Sequence, residues 1–238
     1  MIKRKDSRKP DELRPVKIEN DYLKDPQGSC LITLGRTKIV CSATVEEKVP
    51  YFLKDTKSGW ITAEYGMLPG SSRERIPRAR AQGRIYEIQR LIGRVFRSVV
   101  DLVSLSGFTI TVDCDVIQAD GGTRTASITG GYVALYDAIQ WMLEHGLIEY
   151  SPLREAVAAV SVGIVSGTPI LDLAYNEDSD ADVDMNIAMS ESLKCIEIQG
   201  TGEKRPFTKG ELEEMLKLAE HGVIQLIEAQ KKVLLLKL

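Results

Sequence analysis

The sequence predicts an α+β fold in which mixed sheets and packed helices form two layers. Alternating apolar and polar residues, which are typical of strands, occur in the first third of the chain, in its centre and again in its last third. Segments with apolar residues at helical spacing separate these groups and also end the chain. The order of strands, helix, strand, helix, strands and helix indicates two similar halves around one layered core.

Hairpins account for the first predicted sheet. Strand-like segments bounded by turn residues cover residues 16–19, 28–35, 37–45 and 60–68. The Asp25-Pro26 pair and Gly35 mark two of the turns, and a charged loop precedes the last strand. An antiparallel or mixed sheet is the simplest interpretation. Residues 1–12 precede this sheet as a basic tail that we expect to be mobile.

The composition is that of an ordinary globular protein. Of the 238 residues, 43% are hydrophobic and 27% are charged, with a net charge of −3, which excludes a disordered chain. No apolar run approaches the ~20 residues needed to cross a bilayer. The charged N-terminus is not a secretory signal. We therefore expect a cytoplasmic protein without a membrane partner.

Cysteine and histidine contribute little to the predicted chemistry. The four cysteines are far apart in the sequence, at positions 30, 41, 114 and 195. They lack the close spacing of zinc ligands or redox pairs, so we expect small buried side chains in a reducing compartment. His145 and His221 fall at or within predicted helices, where structural roles are expected. The sequence therefore gives little support to a histidine-based hydrolase.

Arginine dominates the segment between residues 71 and 97. It contains eight arginines, no lysine and two acids. The first part has no sustained period and is predicted to be a loop, whereas residues 84–103 are predicted to form a helix with an apolar stripe. The side opposite this stripe carries Arg90, Arg94 and Arg97. Such a face is usually only solvated, but the exclusive use of arginine favours phosphate binding through paired hydrogen bonds.

The centre of the predicted chemistry is a strand, a turn and a helix. Alternation over residues 108–116 predicts the strand, and helical spacing then continues to a stop at Gly146. Gly121 and Gly122 lie between them, at the start of the helix. The free N–H groups of a helix start can hold an anion, and Arg124 adds a permanent positive charge. A tight turn without any ligand is the alternative interpretation.

A second chemical pattern is the acidic segment of residues 175–189. Its apolar residues occupy odd positions from 183 onward, which predicts a strand with one face in the core. If the extended form reaches back far enough, the other face is lined by Asp178, Asp180, Asp182 and Asp184. A row of repelling carboxylates favours a hard divalent cation. A solvated acidic edge is the alternative.

The last part of the chain is predicted to contain a hairpin and a helix. Residues 156–165 and 169–173 form the strands. Thr208 and Glu211 have the spacing of a capping box at a helix start. The apolar end, residues 233–238, indicates docking on the same chain or on a neighbour.

Several of these segments together resemble the ribonuclease PH family. The matching motifs lie at residues 6–15, 59–69, 87–94, 113–127, 177–179 and 184–186. The similarity covers almost the whole chain, and the motif from Gln118 to Ser127 is the most specific. The chain departs from the family pattern at Gly70, at Ile85, in a shorter arginine loop and near residues 190–194.

The resemblance implies a fold, an activity and an assembly. The fold is like that of the second domain of ribosomal protein S5, with residues 13–238 as a single catalytic domain. The activity is phosphate-dependent 3′-to-5′ exoribonuclease action on the 3′ ends of transfer RNA precursors, which releases nucleoside diphosphates and can run in reverse as nucleotide addition. The assembly is a homohexamer, a trimer of dimers.

The resemblance also implies site residues. Phosphate is bound by Arg84, Gly122, Thr123 and Arg124. Catalysis and binding of Mg²⁺, or of Mn²⁺, fall to Asp178 and Asp184. RNA is held by Arg73, Arg75, Arg78, Arg80, Arg90, Arg94 and Arg97. Two rival functions remain: a catalytically silent RNA-binding subunit of an exosome-like ring, and a metal-dependent hydrolytic nuclease.

Overall fold

The computed structural model describes residues 4–77 and 83–234. In chain order the described elements are β1 (Val16–Asn20), β2 (Gly28–Leu34), β3 (Thr37–Glu46), a 3-10 turn (Tyr51–Leu53), β4 (Trp60–Met67), α1 (Gly83–Ser98), β5 (Thr109–Gln118), α2 (Thr123–Glu144), β6 (Val157–Val165), β7 (Thr168–Leu171), α3 (Tyr175–Asp180), β8 (Val183–Ser190), β9 (Cys195–Thr201) and α4 (Lys209–Leu234). The predicted α+β class and the order of its main elements are confirmed.

The strands form two sheets. The first has the order β1-β2-β3-β5-β4, and the second has the order β7-β6-β8-β9. Neighbours are antiparallel except for β4 and β5, which run parallel because α1 crosses between them. The first sheet is therefore mixed, as predicted.

Helix α2 connects the two sheets through the core. It contacts β2, β3 and β5 on one side and β6 and β8 on the other. Because both sides are covered, most of its residues are buried and it lacks a polar face. Gly130 permits the close approach to the first sheet, since a Cβ there would lie 2.7 Å from Cγ2 of Ile32.

One predicted helix end differs from the structure, and two predicted helix signals are confirmed. Helix α1 ends at Ser98 rather than Val103, because Val100 pairs with Leu153 in an isolated bridge. The stop at Gly146 is confirmed by its φ of 68°. The capping box is also confirmed: the Thr208 N–H donates to Glu211 Oε2 at 2.7 Å, and the Glu211 N–H donates to Thr208 Oγ1 at 3.2 Å. Strand β9 was not among the predicted elements.

The expectation of a mobile N-terminal tail was wrong for the residues that the structure describes. Arg4 is 3% exposed and binds Glu177. The carbonyl of Pro10 accepts a hydrogen bond from the Leu171 N–H at 2.7 Å. This charged segment is held by Asp172 and Glu177, which lie far later in the sequence. The division into residues 1–12 and a single domain over 13–238 stays a prediction.

The cysteines and the chain end complete the comparison. Cys30, Cys41 and Cys114 are buried as predicted and lie side by side on adjacent strands, but Cys195 is exposed on β9. The side chain of Leu234 is buried in the core, which agrees with a docked chain end, and residues 235–238 lie outside the described part. Within residues 4–77 and 83–234, no helix is both long enough and apolar enough to span a membrane.

Candidate active site

The turn between β5 and α2 has a backbone that only glycine adopts easily. Gly121 and Gly122 have φ angles of 79° and 66°. A Cβ on Gly121 would also lie 2.5 Å from the carbonyl oxygen of Leu173, so this turn is packed against the chain that leads into α3.

Hydrogen bonds set the direction of the turn's peptide groups. The carbonyl of Asp120 accepts from Arg14 Nη1 at 2.5 Å, and the carbonyl of Gly121 accepts from Thr37 Oγ1 at 2.7 Å. In a planar trans peptide the N–H points opposite to the C=O. The N–H groups of Gly121 and Gly122 therefore point away from these donors.

The start of α2 is suited to an anion. Gly122 is its N-cap, it supplies no capping side chain, and the first turn contains no acid. The helix runs for 22 residues, so its positive end is well developed. These features agree with the predicted phosphate cradle at Gly122 and Thr123, whose ligand stays a prediction.

A tyrosine that sequence reasoning missed orients Thr123. The hydroxyl of Tyr65, on β4, donates to Thr123 Oγ1 at 2.9 Å. Tyr65 is buried, and desolvation raises the pKa of its phenol. Because Thr123 accepts this bond, its own O–H proton is free to donate to a ligand. Tyr65 lies in the motif at residues 59–69, but nothing in its local pattern distinguishes it from a core aromatic residue.

A second missed residue holds Arg124. Gln199, on β9, accepts a hydrogen bond from Arg124 Nη1 at 2.6 Å, and its own amide donates to Glu87 of α1. These hydrogen bonds between Glu87, Gln199 and Arg124 thus link α1, β9 and α2. Since β9 was not predicted, no sequence pattern could have placed Gln199 beside Arg124.

Arg84 and Arg124 converge on the acidic segment. Arg84 is exposed in the first turn of α1, and Arg124 is half-buried in the first turn of α2. Desolvation raises the pKa of Asp178 and that of Tyr65, and the positive charges of both arginines oppose these rises. The acidic segment also contacts the glycine turn directly, because the Tyr175 N–H donates to the Asp120 carbonyl at 3.2 Å.

Asp178 and Asp184 form a carboxylate pair. Desolvation raises the pKa of Asp178 although the residue is partly open to solvent, and the positive charges of Arg124 and Arg84 oppose this shift. Burial, followed by the charge of Asp178, raises the pKa of Asp184 to about 6. Two carboxylates in contact disfavour double ionisation, so the site favours an added positive charge.

The predicted row of four aspartates on one strand was wrong. Strand β8 begins at Val183, and its odd apolar residues are buried as expected. Asp178 and Asp180, however, lie in α3. The Glu177 side chain accepts a hydrogen bond from the Ala174 N–H at 2.8 Å, which starts a helical turn instead of an extended segment. Asp178 therefore lies on a helix and Asp184 on the strand that follows it.

The carboxylate pair fits a hard divalent cation in one respect. Oδ1 of Asp184 is buried and has no hydrogen-bond partner among the described residues, and carboxylate oxygen is the ligand that Mg²⁺ and Mn²⁺ prefer. The described residues contain no group of three or more metal-ligating side chains. Asp178 and Asp184 could therefore hold an ion only together with water or substrate oxygens.

The predicted RNA-binding arginines differ in their surroundings. Arg75 and Arg90 are exposed, whereas Arg94 forms an ion pair with Glu197 at 2.8 Å. Arg97 donates to the Ile61 carbonyl at 2.7 Å and covers the Trp60 ring. Arg73 lies 5.3 Å from the centre of the Tyr175 ring. Arg78 and Arg80 fall outside the described residues.

The fold and the site together define a class of enzyme. A glycine turn at a helix start, two arginines and a carboxylate pair are suited to the transfer of phosphoryl or phosphodiester groups. Two models of the 3′ exoribonuclease family match the chain, domain 1 over residues 12–139 and domain 2 over residues 155–222. The chain belongs to this family, which confirms the resemblance, and the two matches separate the first sheet from the second.

Known proteins agree with this assignment. A protein named ribonuclease PH, from Moorella thermoacetica, is 56% identical over 227 residues, which cover 94% of this chain and 91% of that protein. A chain of the Archaeoglobus fulgidus exosome with RNA bound to the active site superposes with a TM-score of 0.83 at 24% identity, over 95% of this chain and 92% of that one. Rice Rrp46 superposes with a TM-score of 0.80 at 17% identity, over 97% of this chain and 100% of that one. The two structural matches show a shared fold.

Proposed function

We propose that this chain removes nucleotides from the 3′ end of RNA with inorganic phosphate as the attacking group, and that the Gly121–Gly122 turn and the Asp178–Asp184 pair form its active site. The chain is a phosphorolytic 3′-to-5′ exoribonuclease and nucleotidyltransferase by its family. The observation that carries the site assignment is the contact between the glycine turn and the start of α3, where the Tyr175 N–H donates to the Asp120 carbonyl at 3.2 Å.

The arrangement supports a phosphate nucleophile. Arg84 and Arg124 would each offer paired hydrogen bonds to phosphate oxygens, and the N–H groups at Gly122 and Thr123 would bind another oxygen. Phosphate is already an anion at neutral pH, so no histidine is needed to activate it. The two histidines of the sequence lie elsewhere in the fold, His145 at the end of α2 and His221 within α4.

The reaction balances without a further reactant. An oxygen of HPO₄²⁻ attacks the last phosphorus of the RNA, and the bond from that phosphorus to the preceding O3′ breaks. The products are a nucleoside 5′-diphosphate and RNA shortened by one nucleotide. The proton of HPO₄²⁻ balances the one gained by the O3′ leaving group, and the reverse reaction adds a nucleotide.

Asp178 and Asp184 would hold Mg²⁺, or Mn²⁺, beside the scissile phosphate. When bound, the ion would offset negative charge on the phosphodiester and on the leaving oxygen. The charge of Asp178 contributes to the raised pKa of Asp184, and the positive charge of Arg124 opposes the rise in the pKa of both carboxylates. The role of this chain's residues is to keep both anions, phosphate and RNA, in one positively biased site.

Exposed arginines would bind the RNA backbone. Arg75 and Arg90 are the strongest candidates, because their side chains are exposed in the arginine-rich segment. Arg94 would first have to leave Glu197. The contacts of Arg97 with Ile61 and Trp60 favour a structural role. Arg73, Arg78 and Arg80 complete the proposed set.

The direct test incubates end-labelled RNA with the purified chain, with and without phosphate. We expect nucleoside diphosphates, and only when phosphate is present. Nucleoside monophosphates formed without phosphate would contradict the proposal and favour a hydrolytic nuclease.

Matched aspartate variants test the site. Asp178→Asn and Asp184→Asn should each lower turnover by at least roughly a hundredfold, because each removes a group proposed to act at the reacting phosphate. Asp180→Asn alters an exposed aspartate of the same short helix and should retain activity. Equal loss in all three variants would count against the carboxylate pair.

A catalytically silent RNA-binding ring subunit is the alternative. It predicts RNA binding without any phosphate-dependent product. The presence of both carboxylates and both phosphate-site arginines favours the active enzyme.

The natural substrate and setting are also part of the proposal. The 56% identical relative is a ribonuclease PH, which supports transfer RNA precursors as substrates and a cytoplasmic location. The likeness to exosome chains supports a ring, for which we propose a homohexamer built as a trimer of dimers. Light scattering of the purified chain would measure its mass.

A further inference from the structure

Residues 4–14, called here the N-terminal strap, contact both the glycine turn and α3 of the proposed active site. Three arginines of the strap bind two acids, Asp172 before α3 and Glu177 within it. The arginines belong to the start of the chain, whereas the acids lie about 160 residues later. The strap therefore joins the part of the site from the first sheet to the part from the second.

Helix α3 needs support from outside itself. It spans six residues and none of them is buried. A helix this short is not stable alone, and the core does not hold it by burial of its side chains. Yet Asp178, one of the two proposed catalytic residues, lies on it.

Arg4 supplies that support through a forked ion pair. Its Nε donates to Glu177 Oε1 at 2.7 Å, and its Nη2 donates to Glu177 Oε2 at 2.8 Å. Glu177 also accepts the Ala174 N–H at the helix start. Arg4 therefore fixes the first turn of α3, directly before Asp178.

Arg14 supports the other half of the site. It binds Asp172 through Nε and Nη2 at 2.9 and 2.6 Å, and its Nη1 holds the Asp120 carbonyl. Asp172 is 1% exposed and has a φ of 55°, an unfavourable angle for a residue other than glycine. Such a conformation persists only where the surroundings impose it.

Arg8 connects the two halves. Its guanidinium lies 3.2 Å from Asp172 Oδ2 and 3.5 Å from Glu177 Oε2. The three arginines and two acids thus form one network that spans from the glycine turn to α3. A buried charge network of this kind is weak evidence for stability, but it holds its members in a defined geometry.

We propose that Arg4 and Arg14 are positioning residues for phosphorolysis: Arg4 sets Asp178 through Glu177, and Arg14 sets the Gly121–Gly122 phosphate turn through Asp172 and the Asp120 carbonyl. This inference rests on the proposed function and adds a device that acts through other residues. Neither guanidinium is proposed to touch substrate.

The test compares variants at Arg4. Arg4→Gln should lower kcat by roughly ten- to a hundredfold, since a displacement of about 1 Å in a reacting group has such an effect. The KM for phosphate should change less than about twofold, because Arg4 reaches the phosphate turn only indirectly, through the Asp172 carbonyl, and Arg14 still holds Asp172 by its side chain. Arg4→Lys should recover part of kcat by restoring the charge without the fork. Lys5→Gln, which removes an exposed charge from the same strap, is the control and should match wild type.

A second variant covers the case in which Arg4→Gln does not fold. Glu177→Gln keeps the acceptor for Ala174 but weakens the link to Arg4, and it should lower kcat by a few-fold. Thermal melting of each variant shows whether it is folded. The double variant with Arg4→Gln and Glu177→Gln should lose no more kcat than Arg4→Gln alone, because Arg4 and Glu177 act as one unit.

Two results would overturn the inference. One is a kcat within twofold of wild type for folded Arg4→Gln or, if that variant is unfolded, for Glu177→Gln. The other is a KM for phosphate that rises in proportion to the loss of kcat. Wild-type protein without phosphate-dependent activity would instead overturn the proposed function, so the two failures are distinguishable.

Discussion

The hydroxyl of Tyr65 donates a hydrogen bond to Oγ1 of Thr123 across 2.9 Å. This contact leaves the Thr123 hydroxyl proton available to phosphate. Tyr65→Phe keeps the buried ring but frees Thr123 to rotate. We expect the KM for phosphate to rise about fivefold, the effect of a hydrogen bond of about 1 kcal/mol, with kcat nearly unchanged.

Phosphate-dependence curves measure this effect. Tyr86→Phe, at an exposed tyrosine of α1, serves as the control. If Tyr65→Phe and Tyr86→Phe give the same KM as wild type, Thr123 does not bind phosphate through its hydroxyl.

Gln199 determines where the Arg124 guanidinium points. Its carbonyl oxygen accepts from Arg124 Nη1 at 2.6 Å, and hydrogen bonds to charged groups contribute about 1.5–3 kcal/mol. Gln199→Ala should therefore raise the KM for phosphate by roughly ten- to a hundredfold. Gln225→Ala, at a partly exposed glutamine of α4, should not. A normal KM in Gln199→Ala would mean that Arg124 keeps its position without this bond.

Alanine substitutions at Gly121 and Gly167 distinguish the effect of backbone strain from that of a steric clash. Both have positive φ angles, 79° and 74°, but only at Gly121 would a Cβ meet other atoms, 2.5 Å from the Leu173 carbonyl. Alanine at either position adds about 1–2 kcal/mol of backbone strain. Gly121→Ala should in addition displace the phosphate turn and lower kcat/KM for phosphate by at least roughly a hundredfold. Gly167→Ala should fold and stay active; equal losses of activity would show that strain alone is responsible.

The Arg14–Asp172 pair predicts a pH dependence of stability. Burial alone would raise the pKa of Asp172, but the hydrogen bonds and charge of Arg14, followed by the charge of Arg8, hold the pKa below its ordinary value. A lowered folded-state pKa stabilises the fold above the unfolded pKa, about 3.9, and this contribution is lost as the pH falls through the folded-state value.

Asp172→Asn tests this dependence. At pH 7 we expect a loss of roughly 3–5 kcal/mol, since Arg14 is left buried without its partner charge. The difference from wild type should narrow as the pH falls below about 4. Thermal unfolding between pH 7 and 3 measures it, with the exposed Asp55→Asn as the control. A difference that stays constant over this range would contradict the assignment.

Short-range patterns predicted much of the fold correctly. The apolar stripe of α1 is buried at Ile88, Leu91 and Ile92, as its helical spacing requires. The capping box at Thr208 and Glu211 formed as predicted, because its two partners are three residues apart. The glycine turn was found for the same reason, since its φ angles are a local property.

Predictions that depended on distant partners were less successful. The aspartate alternation from Asp178 to Asp184 suggested one strand. Glu177 and its long-range contact with Arg4 instead favour a helix over the first part of this segment, which includes Asp178. The basic start of the chain looked like a solvated tail, because its acidic partners lie about 160 residues away. Tyr65 and Gln199 were missed for a similar reason.

By itself, the sequence determined the α+β class, the glycine turn before a helix start, the arginine-rich segment, the acidic segment and, through its motifs, the family. These features depend on residue type and on spacing within a few turns of helix or strand. Only the tertiary structure decided that Asp178 lies on a six-residue helix, that Gln199 binds Arg124, and that Arg4 and Arg14 form ion pairs with Glu177 and Asp172. Each of these rests on a contact between sheets or between chain segments, whose energy depends on burial and distance rather than on any local pattern.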